Sequence, residues 1–374
     1  MINMSSIKAM LKYILPHGFV EWYKKRLTIS GVSAPDDKKI AVVAAYKDTT
    51  YVDLLKQSVK KAGYNVSNYA GGAKYVWLHW YENGVYEQSD FYRKTAMIGE
   101  WKAQGKKVIV HIHNKKPHES AYPGLSHALM TVLLDSADHV SIMSAETNKL
   151  LEAKWYYGKD FNRVSKVLHP HYIGAYGEML VAPASLRNDT LKILFFGLVR
   201  PYKGVEKLLQ ATEGLNNVEV SIMGTPKDEQ YIKRLHELCA NRNNVTFRLE
   251  FIPDQDIPQV FAAHHIVALP YSIDSSLNSG AAMLALSYAR TVVGTNNGTL
   301  KELGDNKLYF GYDYTDDKDH TRQLEKVIRK IQSQYDGKYN DLLGVGEKAY
   351  QYVKKENSID AIGDSIDAMI RRID

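Results

Sequence analysis

A chain of 374 residues, 45% apolar and 24% charged, has the length for two hydrophobic cores and the balance of a globular protein, which excludes a fibrous or disordered class. A single cysteine, Cys239, excludes a disulfide framework and points to a reducing cytoplasm, and the sequence shows neither an apolar run of about eighteen residues nor a leader with a cleavage site. The net charge of +6 suits anionic donors, lipid pyrophosphates or a membrane surface; its cations are spread among acids with no nucleic-acid module beside them, which sets nucleic acid aside as a partner.

The opening segment carries an apolar stripe, Ile7, Met10, Leu11 and Ile14, beside Lys8 and Lys12, with Lys24, Lys25 and Arg26 following. Residues 1–30 read either as an interfacial helix that finds an anionic membrane on its inner face, or as a helix packed on the domain. Apolar periodicity then predicts strands over 39–45, 75–80, 107–113 and 139–143, alternating with helices over 51–62, 90–103 and 125–134. The stretch 39–48 has no G-x-G-x-x-G, so a nicotinamide dehydrogenase is excluded. A polar segment over 174–190 reads as a linker. Beyond it come strands over 191–196, 218–223, 245–251, 266–269 and 291–295, with helices after Gly204, around Tyr231 to Cys239, after Asp256 as a cap, and over 278–289. Ile359, Ile362, Ile366, Met369 and Ile370 form one stripe on a last helix.

Repeated β-α-β in both halves predicts an α/β protein of two Rossmann-like, doubly wound domains facing a cleft. The first spans 1–180 and the second 190–340, with helices over 341–374 packing back toward the first.

The segment 191–205 carries the clearest chemistry. A strand stops at Gly197 and a helix opens after Lys203 and Gly204, which places Arg200 and Lys203 between a strand's carboxyl end and a helix N-terminus, where a diphosphate is favoured. Arg offers a planar fork of donors and Lys a mobile point charge. Two solvated cations in an ordinary loop are the alternative.

In order, Gly197-x-x-Arg200-x-x-Lys203-Gly204, Met223-Gly224, Phe251-Ile252-Pro253, Leu269-Pro270, Asn278-Ser279-Gly280 and Glu302 resemble the C-terminal domain of GT-B glycosyltransferases. The similarity is to family-four-like bacterial enzymes that build exopolysaccharide, capsule and O-antigen chains. Trp77-Leu78-His79-Trp80 and His113-Asn114-x-x-Pro117-His118 are similar to the N-terminal domain of that group. The resemblance implies transfer of a sugar from a nucleotide-diphosphate donor to a glycan or lipid-linked oligosaccharide. It also implies that no metal or other cofactor is needed. The donor diphosphate would meet Gly197, Arg200, Lys203, Asn278, Ser279 and Gly280, and the base would lie near Gly224, Phe251 and Ile252. Retaining members carry two glutamates eight positions apart around the small-residue helix; here Ser276 and Leu284 stand there. A catalytically inactive sugar-nucleotide-binding subunit, or a GT-B enzyme such as a nucleotide-sugar epimerase, is the runner-up.

An inverting transfer needs a base for the acceptor hydroxyl, and His113, His118 and Glu82 are the candidates, with Glu119 beside them. Trp77, His79, Trp80 and Asn114 are candidates for the acceptor or sugar, since aromatic faces stack on sugar rings; such clusters are also ordinary core. His111 and His113 lie two apart and lean to one face, a spacing that can share a metal, but a third well-spaced ligand is missing from the sequence pattern.

Overall fold

The computed structural model describes residues 35–46, 48–115, 122–151, 163–183, 186, 189–274, 277–304 and 307–374. The 1–30 segment, His118, Glu119 and Ser276 lie outside them.

The first domain is a six-stranded sheet of β1 (Asp36–Ala44), β2 (Asn65–Ser67), β3 (Ala73–His79), β4 (Lys107–His111), β5 (His139–Ile142) and β6 (Val164–Lys166). The pairing is parallel throughout, in the order β2-β1-β3-β4-β5-β6. The helices α1 (Thr50–Lys61), α2 (Gln88–Ala103), α3 (Pro123–Ser136) and α4 (Glu146–Leu150) supply the crossovers. Because β3 and β4 are covered on both faces, they read as nearly unbroken apolar runs, with Tyr75 through His79 and Val108 through His111 all buried.

The second domain repeats the plan with β7 (Leu191–Phe196), α5 (Val205–Ala211), β8 (Val218–Met223), α6 (Glu229–Glu237), β9 (Val245–Arg248), α7 (Ile257–Ala262), β10 (Ile266–Leu269), α8 (Gly280–Ser287), β11 (Thr291–Thr295), α9 (Gly298–Gly304) and β12 (Phe310–Tyr312). Its order is β12-β11-β10-β7-β8-β9. Chain order reverses between β1 and β3 in one sheet and between β7 and β10 in the other, and ligands of such sheets bind beyond the strand ends at these reversals.

Three helices close the chain: α10 (Asp317–Tyr335), α11 (Asn340–Glu356) and α12 (Ile359–Ile373). α11 packs on the second domain so closely that a Cβ on Gly346 would lie 2.1 Å from Ala289 O. α12 crosses to the first, burying Ile362, Ile366, Met369 and Ile370, each worth about 1.5–3 kcal/mol over exposure, with Gly363 against α1. At the turn between them Asn357 accepts from His171 N (2.9 Å) and donates to His169 O (2.8 Å), on the incoming interdomain segment.

Several boundaries differ from the sequence reading for local reasons. β2 and β6 have only three residues each and present no period to detect. β4 stops at His111, and β9 at Arg248, leaving Phe251 70% exposed. α8 starts at Gly280 because Ser279 Oγ accepts from Ala282 N and so sets its cap. Asp256 holds the cap position of α7 but makes no side-chain capping bond there, because its carboxylate is held by Arg248 Nη2 at 2.8 Å.

Candidate active site

At the reversal of the second sheet, β7 ends in Gly197 with φ 117°, and Gly224, ending β8, has φ 138°. A Cβ on Gly224 would lie 1.9 Å from Gly197 O, so only glycine lets the two strand ends touch. The loop then folds onto β10. Lys203 Nζ sits 5.1 Å from the Tyr271 ring centroid, and a Cβ on Gly197 would stand 3.6 Å from the same ammonium. Lys203 therefore presents its charge over the ends of β7 and β10. Arg200 is turned to the side: its Nη1 donates to Val199 O (3.2 Å) and Thr225 O (3.1 Å), the latter in the loop after β8. Ile252 is buried beside the exposed Phe251, on the β9 side of the domain.

Asn278, Ser279 and Gly280 come to the same end of the sheet. Ser279 and Asn278 border a small pocket with Leu269, Tyr271, Thr295 and Asn297. The buried Tyr271 hydroxyl faces Ser279, and burial pushes its pKa up to about 12. The Asn278 side chain is fixed at both ends, accepting from Thr299 Oγ1 (2.7 Å) and donating Nδ2 to His113 O (3.1 Å) across the cleft. Leu284, at the second of the two glutamate positions, is a buried core residue of α8.

Opposite stands a box of aromatic and imidazole rings on the ends of β3 and β4. Trp80, which leaves β3 with φ 50°, stacks on His113 with centroids 3.6 Å apart and planes at 16°. A left-handed backbone at a tryptophan is strained, and such strain is kept where the surroundings fix it. His79 Nδ1 and His113 Nε2 share a hydrogen bond of 3.0 Å. Ser141 Oγ accepts from Trp77 Nε1 (2.8 Å) and shares a 2.8 Å hydrogen bond with His111 Nδ1. Tyr51 lies against His113, Trp80 and His169, which also borders Gly280 of the facing domain. Burial pushes all four imidazoles down, His111 to about 3 and His169 to about 4, so they are neutral near pH 7. Asn114 follows this box, half-buried, and Lys115 Nζ reaches across to donate to Ile273 O at 2.6 Å. The first domain is further tied to the second by Glu302, which accepts from Ala145 N (2.5 Å) and pairs with Lys166 (3.1 Å).

Glu82 is only 2% exposed, and burial raises its carboxyl to about 7 against the partial opposition of the Lys94 charge. Lys94, itself lowered to about 8 by burial, donates to Tyr81 O and Asn83 O. A carboxyl whose folded pKa lies above its ordinary 4.5 contributes stability that is present below 4.5 and is lost as pH climbs toward 7. Relative to Glu82→Gln, the wild type is therefore expected to lose about 3 kcal/mol across that interval. Denaturant midpoints of both proteins at the two ends of the interval check this, since the difference cancels the histidines; a difference flat in pH would mean an unperturbed Glu82.

Tyr51, His169 and Tyr271 were not singled out in the sequence. Each sits on a buried face of its element, where sequence alone reads it as core.

Residues 181–340 match the family model of glycosyl transferases group 1. The GDP-mannose:glycolipid 4-beta-D-mannosyltransferase of Xanthomonas campestris pv. campestris is 32% identical over 132 residues, 34% of this chain and 35% of that protein. This chain thus spans about a third of the length of the curated relatives it matches. Among solved structures, the sucrose-phosphate synthase of Thermosynechococcus elongatus superposes with a TM-score of 0.68 at 13% identity, over 89% of this chain and 98% of that one. Anabaena Alr3699/HepE, solved with UDP and glucose, superposes with a TM-score of 0.62 at 15% identity, over 88% and 98%. With two parallel six-stranded domains closing on one cleft, the chain has the GT-B fold, and its second domain carries the match to glycosyl transferases group 1.

Proposed function

We propose that the chain is a glycosyltransferase that moves mannose from GDP-mannose to a lipid-linked glycan and inverts the anomeric centre. The observation that carries it is the Lys203 ammonium over the joined ends of β7 and β10, opposite a box of aromatic and imidazole rings. Charge building on a leaving diphosphate is stabilised by such a fixed cation without a metal at that position. In this reading Gly197, Arg200 and the backbone N–H groups at the start of α8, around Asn278, Ser279 and Gly280, complete the phosphate cradle. Gly224, Phe251 and Ile252 take the base, and Trp80 and Asn114 form the acceptor side, supported by the buried Trp77 and His79. The donor and acceptor are suggested by the Xanthomonas relative, whose name specifies a β-mannoside made from GDP-mannose. The sugar in GDP-mannose is α-linked, so a β product requires inversion. Inversion dispenses with the glutamate pair that Ser276 and Leu284 replace, and calls for a base.

Glu82, His113 or His118 serves as that base in this proposal. Near pH 7 a carboxyl at about 7 is half ionised and is the better matched to proton abstraction than an imidazole held far below its ordinary value.

Thermal stabilisation by GDP-mannose over UDP-, dTDP- and CMP-sugars is the expected result, since selective binding raises apparent stability by mass action. Product NMR should then show a β linkage. An α-mannoside product would remove the base, and donor binding with no turnover on any lipid-linked acceptor would favour the inactive binding subunit instead.

No helix among the described residues is long and apolar enough to cross a membrane. We assign membrane approach to the cations of residues 1–30 on the cytoplasmic face. Vesicles containing anionic lipid are expected to bind the chain, with binding that weakens as salt rises; salt-insensitive binding would assign the segment to domain packing.

A further inference from the structure

We propose that His79, His111 and His113 form a binding site for one divalent transition-metal ion, Zn²⁺ by its chemistry, in the first domain and apart from the donor diphosphate. The register of the sheet makes it. β3 pairs with β4 so that His79 lies directly beside His111, which brings in the third imidazole that the 111/113 spacing lacks. One donor nitrogen from each ring lies within 4.8 Å of the other two. A tetrahedral ion with bonds of 2.0–2.1 Å needs its donors roughly 3.3 Å apart, so the rings close by on the order of 1.5 Å to bind it.

Two observations independent of that spacing point to a ligand. His79 Nε2 and His111 Nε2 are both buried and have no hydrogen-bond partner. A buried polar atom left unpaired is destabilising, and two on rings stacked 4.8 Å apart are not explained by ordinary core packing. The opposite nitrogens are engaged: His111 Nδ1 with Ser141 Oγ, and His79 Nδ1 with His113 Nε2. With Nδ1 protonated each Nε2 is left as a lone pair, and for His111 the Ser141 hydroxyl is the outer partner that orients the ligating ring. Coordination through His113 Nε2 exchanges its contact with His79 for a bond to the ion, and leaves the base of the proposed transfer to Glu82 or His118. Three neutral imidazoles leave one tetrahedral position, where hydroxide or another oxygen anion offsets part of the charge. Imidazole donors suit Zn²⁺, Cu²⁺ and Ni²⁺ and disfavour Mg²⁺ or Ca²⁺.

The ion would pin the end of β3 to the end of β4 and to the residue whose carbonyl receives Asn278 from the facing domain. Metal occupancy and closure of the cleft are thereby linked.

The test uses the full chain stripped with a chelator and titrated with Zn²⁺ alone against a chromophoric competitor, and separately with Co²⁺ followed by its visible absorption. One ion per chain, a tetrahedral Co²⁺ spectrum and a melting temperature that rises with Zn²⁺ are expected. Ser141→Ala, which keeps all three imidazoles, is expected to weaken binding about 10- to 100-fold. His79→Gln with His111→Gln should abolish it. No stoichiometric uptake by the stripped wild type overturns the site whether or not the variants fold. Uptake that survives the double substitution also overturns it, and marks the metal as held by histidines elsewhere, such as His127 or His236.

Discussion

Lys203→Ala is expected to reduce sugar transfer by about 100- to 1000-fold while leaving the melting temperature nearly unchanged, the loss typical of removing one fixed donor to developing charge. Lys203 is half-buried and its ammonium stands over the Tyr271 ring and next to Gly197, which gives the charge a well-defined direction. The loss should fall mainly on kcat, because the leaving diphosphate gains charge only as the bond breaks. Arg200→Ala separates the two cations. Its guanidinium is already joined to Val199 O and Thr225 O, so its removal loosens the loop after β8 and is expected to cost less in rate. Steady-state kinetics on folded variants decide the matter; a Lys203→Ala enzyme with full turnover would falsify the cradle.

Gly204→Ala is expected to destabilise the second domain by about 3 kcal/mol or more, and Gly214→Ala by only about 1–2 kcal/mol, although both backbones are left-handed. Their φ values are 69° and 68°, so the conformational strain of a methyl group is the same at each. The surroundings differ. A Cβ on Gly204 would lie 2.0 Å from Pro270 O, against backbone that cannot retreat without moving the Lys203 loop off β10, whereas nothing lies within 4 Å at Gly214. Denaturant unfolding of the two variants isolates the clash from the strain. Equal losses would show that the loop yields, and that its apposition to Pro270 does not position Lys203.

The alternation of strand and helix was legible because buried parallel strands are uninterrupted apolar runs and the crossover helices carry one apolar face. Val218–Met223, Ile266–Leu269 and Thr291–Thr295 were predicted at their observed bounds for that reason. The three-residue β2 and β6 had no pattern to show. Gly197, Lys203 and Gly204 were readable as a loop since glycine marks a backbone constraint in the sequence itself. What no sequence pattern conveys is the register between strands far apart in the chain. His79 stands 32 positions before His111, and only the β3–β4 pairing makes them neighbours. Nor does sequence say which polar side chains are already committed: Asn278 reads as a phosphate contact, yet its amide is taken by Thr299 and His113.

The paired hydrogen bonds between Asn357 and the 169–171 segment bear on how the halves can move. The polypeptide passes between the domains twice, once after β6 and once from α11 to α12, and Asn357 fastens those two passages to one another. A single tether leaves a swivel with twist and swing both free. Two passages joined side by side resist twist and favour swing. A swing about that pivot would carry Trp80 and Lys203 apart and return them along the same path, so their realignment would be guided by the two joined passages.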